Sequence, residues 1–358
     1  MNTTPTLGGD PEFFILEKLK SKYKVITADK ILPGKRKKAE CCGGHVFFDG
    51  VQAEINPRPD TCREFFARNI QDCIEDILSR SSNTKYTKDK TIVFAPLASV
   101  PVDDKILKGS DRECFRFGCS PDSNIYTDEK MTYPNGKEFM TRFSGGHVHL
   151  GFDDIKYMQT MNTPEKLLNL VRAMDTIAGV MAVAISNGKE EKIRRQYYGK
   201  AGTYRLQKHG IEYRTLSSFW LVSPPLTSLM VGLIRDAFTI VYKGVEQALF
   251  KYASTELIRD IIDNSKVNKA KKFYYDEIIP FYDTYSIANS PLNFTRDVVD
   301  NMIENGYRTY FCPYHMLNYW NLKKPWLVNP NEHTPSYFGI NNLAENLNED
   351  LLDDIKES

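Results

Sequence analysis

Four short segments carry the side chains with the greatest chemical reach. They read GGDPEFF around Asp10 and Glu12, VQAEIN around Glu54, GHVHLGF around His147 and His149, and IEYRT around Glu212 and Arg214. Successive side chains of an extended strand point to opposite faces, so parity sorts each segment. Gln52, Glu54 and Asn56 share one face, with Val51, Ala53 and Ile55 on the other. His147 and His149 oppose Val148 and Leu150, Glu212 and Arg214 oppose Ile211 and Tyr213, and Asp10 and Glu12 fall together. If the four strands join one sheet, their polar faces converge on a surface of four acids, two imidazoles and a guanidinium. A half-solvated antiparallel sheet also alternates, which is enough to explain any single strand. Solvated faces favour Thr, Lys, Ser and Gln, however, so acids and histidines recurring on four strands favour a site.

Carboxylates crowded together repel one another strongly unless cations lie between them. A donor set made mostly of oxygens favours a hard ion, Mg²⁺ or Mn²⁺, over zinc. Such ions beside arginines form a clamp for a polyphosphate, the guanidiniums neutralising charge that develops in phosphoryl transfer. The segment IRRQYYGKAGTYRLQ offers Arg194, Arg195 and Arg205 for this purpose; the plainer reading pairs one or two of them with surface acids.

The elements that must position these groups follow from patterning. GGDPEFFIL opens as a strand, and residues 22–40 read as a hairpin with a basic tip at Lys35 to Lys38, more often a solvated turn than a phosphate grip. After the Glu54 strand comes a helix capped by Thr61 with Glu64 three positions on, its apolar face formed by Phe65, Phe66, Ile70, Cys73, Ile74 and Ile77. TIVFAPLASV is a buried strand. Residues 163–185 predict a helix with Thr163 at the cap, Pro164 in the first turn and a stop at Asn187-Gly188, and Asp175 within it reads as a hydrogen-bonded structural acid. AGTYRLQ and IEYRTLSSF are strands around the turn KHG. From about Pro224 the pattern is mainly helical and ends in an acidic tail. The order predicts an α+β fold, divided into a core over residues 1–225 and a mainly helical region over 226–358 packed on it.

The 358 residues are 41% hydrophobic and 26% charged, with a net charge of +1. No overall field recruits nucleic acid, which is not expected as a partner although the Lys35–Lys38 tip leaves it open. No apolar run of membrane-spanning length and no secretory signal are read, so a cytoplasmic location without a membrane is expected. Seven cysteines in no paired zinc spacing are taken as reduced thiols rather than a zinc site. Neither a Walker-type loop nor a Gly-x-Gly-x-x-Gly turn is present, so a nucleotide must be held another way.

The segments also carry a family resemblance. GGDPEFFIL is similar to the Gly-x-Glu-x-Glu-Phe-Phe strand of glutamine synthetases, and DGVQAEIN resembles their Gly-Gln-x-Glu strand. GGHVHLGF resembles their Gly-x-His-x-His segment, and GIEYRTLSSFWLVSP their Ile-Glu-x-Arg strand. All four occur in that family's order, from residue 8 to about 225. The glycine spacing and the block YGKAGTYRLQKHGIEYRT look closer still to a phage-encoded branch of the superfamily, the type 2 amidoligases, which are carboxylate–amine ligases. The resemblance implies a glutamine synthetase-like catalytic domain, with a curved, mainly antiparallel sheet, helices packed on one face and a helical C-terminal part.

Carried over by position, it implies metal binding at Asp10, Glu12, Glu54, His147 and Glu212. It places His149 near the transferred phosphate and the acyl substrate. It sets Arg205, Arg214 and Arg195 on phosphate, the first two also on an acyl-phosphate intermediate. Asp10 departs from the family's glutamate by one methylene, and a further acidic ligand expected before the Glu54 strand must come from Asp49 or His45 in HVFFDG or be absent. The family's separate N-terminal domain, which completes the site from a neighbouring subunit, has no counterpart ahead of residue 8. A dodecamer is therefore not implied, and oligomerisation is left open.

The expected cofactors are ATP and Mg²⁺ or Mn²⁺, two or three ions. The expected partners are a small-molecule or peptide carboxylate and an amine, in a bacterial host cytoplasm if the chain is phage-encoded. Residues 118–136 are read as a lid, an acceptor-selecting loop or a surface insertion. Rival readings of the same site are a phosphagen-kinase-like phosphotransferase, a metal-dependent hydrolase and a binding protein with a vestigial metal site.

Overall fold

The structure is a computed structural model and describes residues 4–115, 123–127, 139–152, 163–186 and 188–322. Its strands are β1 (Thr6–Gly9), β2 (Glu12–Lys18), β3 (Tyr23–Ile26), β4 (Ala39–Cys41), β5 (Gly44–Asp49), β6 (Gln52–Pro57) and β7 (Ile92–Ala95). They continue with β8 (Ser99–Pro101), β9 (Ser123–Asn124), β10 (Thr141–Phe143), β11 (Val148–Gly151), β12 (Thr203–Gln207) and β13 (Gly210–Tyr213). One sheet has the order β3-β2-β6-β5-β4, with β7 also on β2; another runs β1-β11-β13-β12-β9; β8 and β10 form a separate pair. Every pairing of named strands is antiparallel. The α+β class with antiparallel sheets is thus as expected.

The four chemical segments, however, are shared between two sheets. GGDPEFFIL breaks at Asp10-Pro11 into β1 and β2, one in each sheet. Proline has no N–H for a ladder and restricts the residue before it, so the chain turns there from one sheet into the other. Residues 22–40 are likewise no hairpin: β3 pairs with β2 and β4 with β5, at opposite edges of the sheet. Between them the chain crosses in 3₁₀ turns at Ala28–Lys30 and Lys35–Lys37, fastened by Ala28 N to Val51 O at 3.0 Å and Phe48 N to Pro33 O at 2.9 Å.

The first long helix, Arg63–Ser82, starts after Cys62 rather than Thr61, and its cap residue makes no side-chain cap bond. Asp60 Oδ1 instead accepts from Cys62 N at 2.7 Å. Phe66, Ile70, Cys73, Ile74 and Ile77 are buried as expected, but Phe65 is 64% exposed. It stands next to the buried face, not on it. The helix Pro164–Ile185 has the expected Thr163 cap, which accepts from Lys166 N. A π turn, Asp175–Gly179, interrupts it.

This helix and Pro224–Lys243 are long and apolar enough to cross a membrane by length and composition, which corrects the expectation that no such run exists. Both lie mostly inside the protein, with 89% and 78% of the apolar window buried, which is how core helices pass the same test. They belong to one apolar cluster that runs from Leu7 to Trp320 and so joins residues on either side of position 225. The mainly helical pattern after Pro224 is observed as far as Leu322; the acidic tail lies outside the described residues.

Candidate active site

The two sheets meet at the loop Ser144–His147. Glu12 N donates to Gly145 O at 2.9 Å, and Gly145 N donates back to Glu12 Oε2 at 2.8 Å. On its other side the loop is held by Gly146 N to Leu216 O, 3.0 Å, and by Trp220 Nε1 to Gly146 O, 3.0 Å. Both glycines are required by close approach. A Cβ on Gly145 would stand 2.4 Å from His147 Nε2, and one on Gly146 would stand 2.1 Å from Ser217 O. Arg194 adds a clamp of backbone bonds: Nε to Ser144 O, 2.9 Å, Nη1 to Thr215 O, 3.0 Å, and Nη2 to Leu216 O, 2.8 Å. Buried and committed to carbonyls, it is structural.

Around this loop the acids fall into two groups. In one, Asp10, His149 and Glu212 each bring a donor atom within 4.8 Å of the others; in the second, Glu12, Asp49 and Glu54 do the same. Register explains both. Glu12 faces Glu54 across β2 and β6, and Glu54 faces Phe47, two residues from Asp49 on the same side of β5. His149 faces Glu212 across β11 and β13, and Arg205 faces Glu212 from β12. Of the two alternatives for the further acid, Asp49 is the one in place; His45 is exposed and belongs to neither group.

The two imidazoles differ in their surroundings. His147 is buried, with Nδ1 3.0 Å from Asp10 Oδ1 and Nε2 2.6 Å from the Tyr198 hydroxyl. Arg214 Nη2 donates to that hydroxyl at 2.7 Å, and Arg214 Nη1 lies 3.2 Å from His147 Nδ1. Burial, reinforced by the Arg214 charge, lowers the His147 pKa. His149 is partly exposed, its Nε2 3.4 Å from Asp10 Oδ1 and 4.0 Å from Glu212 Oε2. Burial works against its proton, but the Asp10 and Glu212 charges overcome that and raise its pKa.

The carboxyls are tuned in opposite directions. Burial pushes Asp10 up, yet the charges of His147 and His149 hold it well below the ordinary carboxylate range. Burial and Asp10 push Glu212 up, and His147, Arg214 and His149 together hold it down. Arg214 and Gln207 both donate to Glu212. Glu12 is pushed up to about 8, by burial first and then by the Asp49 charge. Glu54 is raised well above the usual range by burial and by Asp10, with Lys35 opposing. Lys35 reaches this group from its 3₁₀ turn, Nζ lying 2.8 Å from Asp49 Oδ2 and 3.7 Å from Glu54 Oε2.

The donor set fits divalent cations. Five carboxylates supply hard oxygen ligands, and one imidazole adds a borderline nitrogen. Burial first, and then neighbouring carboxylates, raise both Glu12 and Glu54, and a cation between them would relieve that repulsion. His149 Nε2 is a buried atom with no hydrogen bond of normal geometry.

Arg205 lies at the rim, one third exposed, with Nη1 3.4 Å from Glu212 Oε2. Arg214 is buried among Glu212, Tyr198 and His147. Arg195 is buried on its own helix beside Glu191, Nη2 to Oε2 3.7 Å. Sequence reasoning missed Tyr198 and Gln207, although Gln207 shares the parity of Arg205 in TYRLQ. Of residues 118–136, only 123–127 are described; β9 there closes the sheet edge against β12, and Tyr126 donates to Asp175.

Residues 122–266 match the family described as phage phiEco32-like COOH.NH2 ligase, type 2. The resemblance to that branch is thereby borne out over a stretch holding His147, His149, Arg195, Arg205, Glu212 and Arg214; Asp10, Glu12, Asp49 and Glu54 lie ahead of it. No curated protein matches the chain. Among solved structures, a bifunctional glutathione synthetase from Pasteurella multocida is similar at 10% identity and a TM-score of 0.43, over 89% of this chain and 51% of that one. The chain thus spans about half the length of that enzyme.

Proposed function

We propose that this protein is an ATP-dependent carboxylate–amine ligase that activates its acid as an acyl phosphate. The observation that carries the reading is the side-by-side placement of the two acid groups, joined through Asp10-Pro11 and flanked by Arg205 and Arg214. The family match over residues 122–266 supports the same class. Mg²⁺ or Mn²⁺ would be held by Asp10, His149 and Glu212 in one group and by Glu12, Asp49 and Glu54 in the other. Bound there, the ions supply charge neutralisation for the ATP phosphates.

The chain's own residues do the rest. Asp10 and Glu212, held as carboxylates, are ready to bind a cation without first losing a proton. His147, 3.0 Å from Asp10 and held by Tyr198 and Arg214, positions Asp10 in the first group. Arg214, anchored on Tyr198, fixes Glu212, and Arg205 at the rim meets the anionic substrate. His149 stands at the boundary between the first acid group and the solvent side, where the reacting carboxylate enters. Arg195 pairs with Glu191 one turn back on the same helix. A carboxylate oxygen takes the γ-phosphoryl group and ADP leaves; an amine then attacks the acyl carbon and phosphate leaves, giving the amide. The buried walls around Glu212 and Glu54 limit access of water to the intermediate.

The test is product release with Mg²⁺-ATP across panels of carboxylates and amines. A ligase releases both ADP and phosphate only when an acid and an amine are present together. ADP without free phosphate would replace the reading by a phosphotransferase, and turnover without ATP by a hydrolase.

A further inference from the structure

We propose that Cys41 and Cys73 form an intramolecular disulfide when the protein meets hydrogen peroxide, a covalent modification site separate from the acid groups. The inference does not rest on the ligase reading. Cys41 ends β4, Cys73 lies within the helix Arg63–Ser82, and their sulfurs are 3.5 Å apart. Neighbouring residues explain the approach. The turn after Cys41 presses onto the helix so closely that a Cβ on Gly43 would stand 2.0 Å from Asn69 O. Gly44 follows at φ 148°, a conformation that L side chains rarely adopt. Arg58 N donates to Gly43 O at 2.7 Å, and Asn69 Nδ2 donates to Arg58 O at 2.9 Å. Cys73 is one helical turn beyond Asn69, which brings it level with Cys41.

The two thiols are unequal. Cys41 is half-buried, and the hydrogen bond with Cys73 is the main cause that draws its thiol down to about 7. Cys73 is fully buried, and its thiol is pushed up, first by that same bond and then by burial. Cys41 is therefore the nucleophile and Cys73 the resolving thiol. The Cys41 thiolate attacks one peroxide oxygen, the O–O bond breaks, and hydroxide leaves; the sulfur is oxidised to a sulfenic acid. The Cys73 sulfur then attacks the Cys41 sulfur, the S–O bond breaks, and the departing hydroxide takes the Cys73 proton as water. In total, two thiols and one peroxide become one disulfide and two waters. The product ties edge strand β4 to the helix.

Peptide mapping of the full chain under non-reducing conditions, after stepwise peroxide addition, decides the matter. A Cys41–Cys73 cross-linked peptide should form first, reversed by dithiothreitol, and the oxidised protein should melt about 5 °C higher than the reduced one. In Cys73→Ser, which keeps a hydrogen-bonding group beside Cys41 but cannot close the disulfide, dimedone should trap a sulfenic acid on Cys41. Should that variant fail to fold, the wild-type map stands by itself. Oxidation of the exposed Cys42 first, or chains joined through Cys42 while Cys41 and Cys73 stay reduced, overturns the proposal.

Discussion

Asp10 and Glu12 are two residues apart, yet they serve different acid groups and carry opposite tuning, because Pro11 sends one toward His149 and Glu212 and the other toward Glu54. Parity alone found Glu54, Glu212, His149 and Arg214. It could not divide them, because the division depends on the break at Pro11. Asp49 was legible only as an alternative, since its place follows from the register of the β5–β6 pair. Tyr198 gave no signal in IRRQYYGKAG: its role arises from a contact with His147, 51 positions away in sequence. The Gly-Gly pair, by contrast, was visible at once, and its reason is steric. Gly146→Ala places a methyl against Ser217 O and Trp220 Nε1 at 2.1 and 2.5 Å, so backbone must shift. Urea unfolding should show a loss of about 2–3 kcal/mol; an unchanged midpoint and slope would contradict the close packing.

At the scale of elements, the 3₁₀ turn Lys35–Lys37 acts on the site through a single cation. Lys35 lies between Asp49 and Glu54, where a divalent ion would otherwise compete for the same oxygens. Lys35→Met should therefore strengthen Mn²⁺ binding to the Glu12, Asp49 and Glu54 group by roughly tenfold, read by calorimetry; equal or weaker binding contradicts that competition. The sequence marked the basic run but placed it at the tip of a hairpin that does not form, since strand pairing is a long-range choice that alternation does not encode.

The π turn at Asp175 works differently. Its carboxylate accepts from Tyr213 Oη at 2.6 Å, Tyr126 Oη at 2.9 Å and Gly202 N at 2.7 Å, so the acid expected to be structural ties the helix to β13 and the segment before β12. Burial raises its pKa from 3.8 to about 7. Between those values the folded protein holds a proton that the unfolded chain has released. The stability this group supplies is full below pH 3.8 and is lost as pH rises through about 7. Unfolding measured across that range should give a flatter pH profile for Asp175→Asn than for the wild type. An unaltered slope would show that Asp175 ionises normally.

Over the whole molecule, class and order of elements were legible because periodicity of two and of 3.6 residues separates strands from helices locally. The partition of the four chemical segments between two sheets and the apolar cluster that spans position 225 were not, because both arise from contacts between distant segments. The same holds for the two apolar helices, whose burial only the assembled fold reveals. What the fold accomplishes is to bring two triplets of acid and histidine side chains to one loop, and the proposed function stands on that arrangement. Titration of the protein with Mn²⁺ in the presence of a non-hydrolysable ATP analogue, followed by electron paramagnetic resonance, counts the ions it holds. Two ions per chain are predicted, with Glu212→Gln losing one and Glu54→Gln losing the other, while circular dichroism shows each variant still folded. No binding by the wild-type protein, or full occupancy in both variants, would contradict the account.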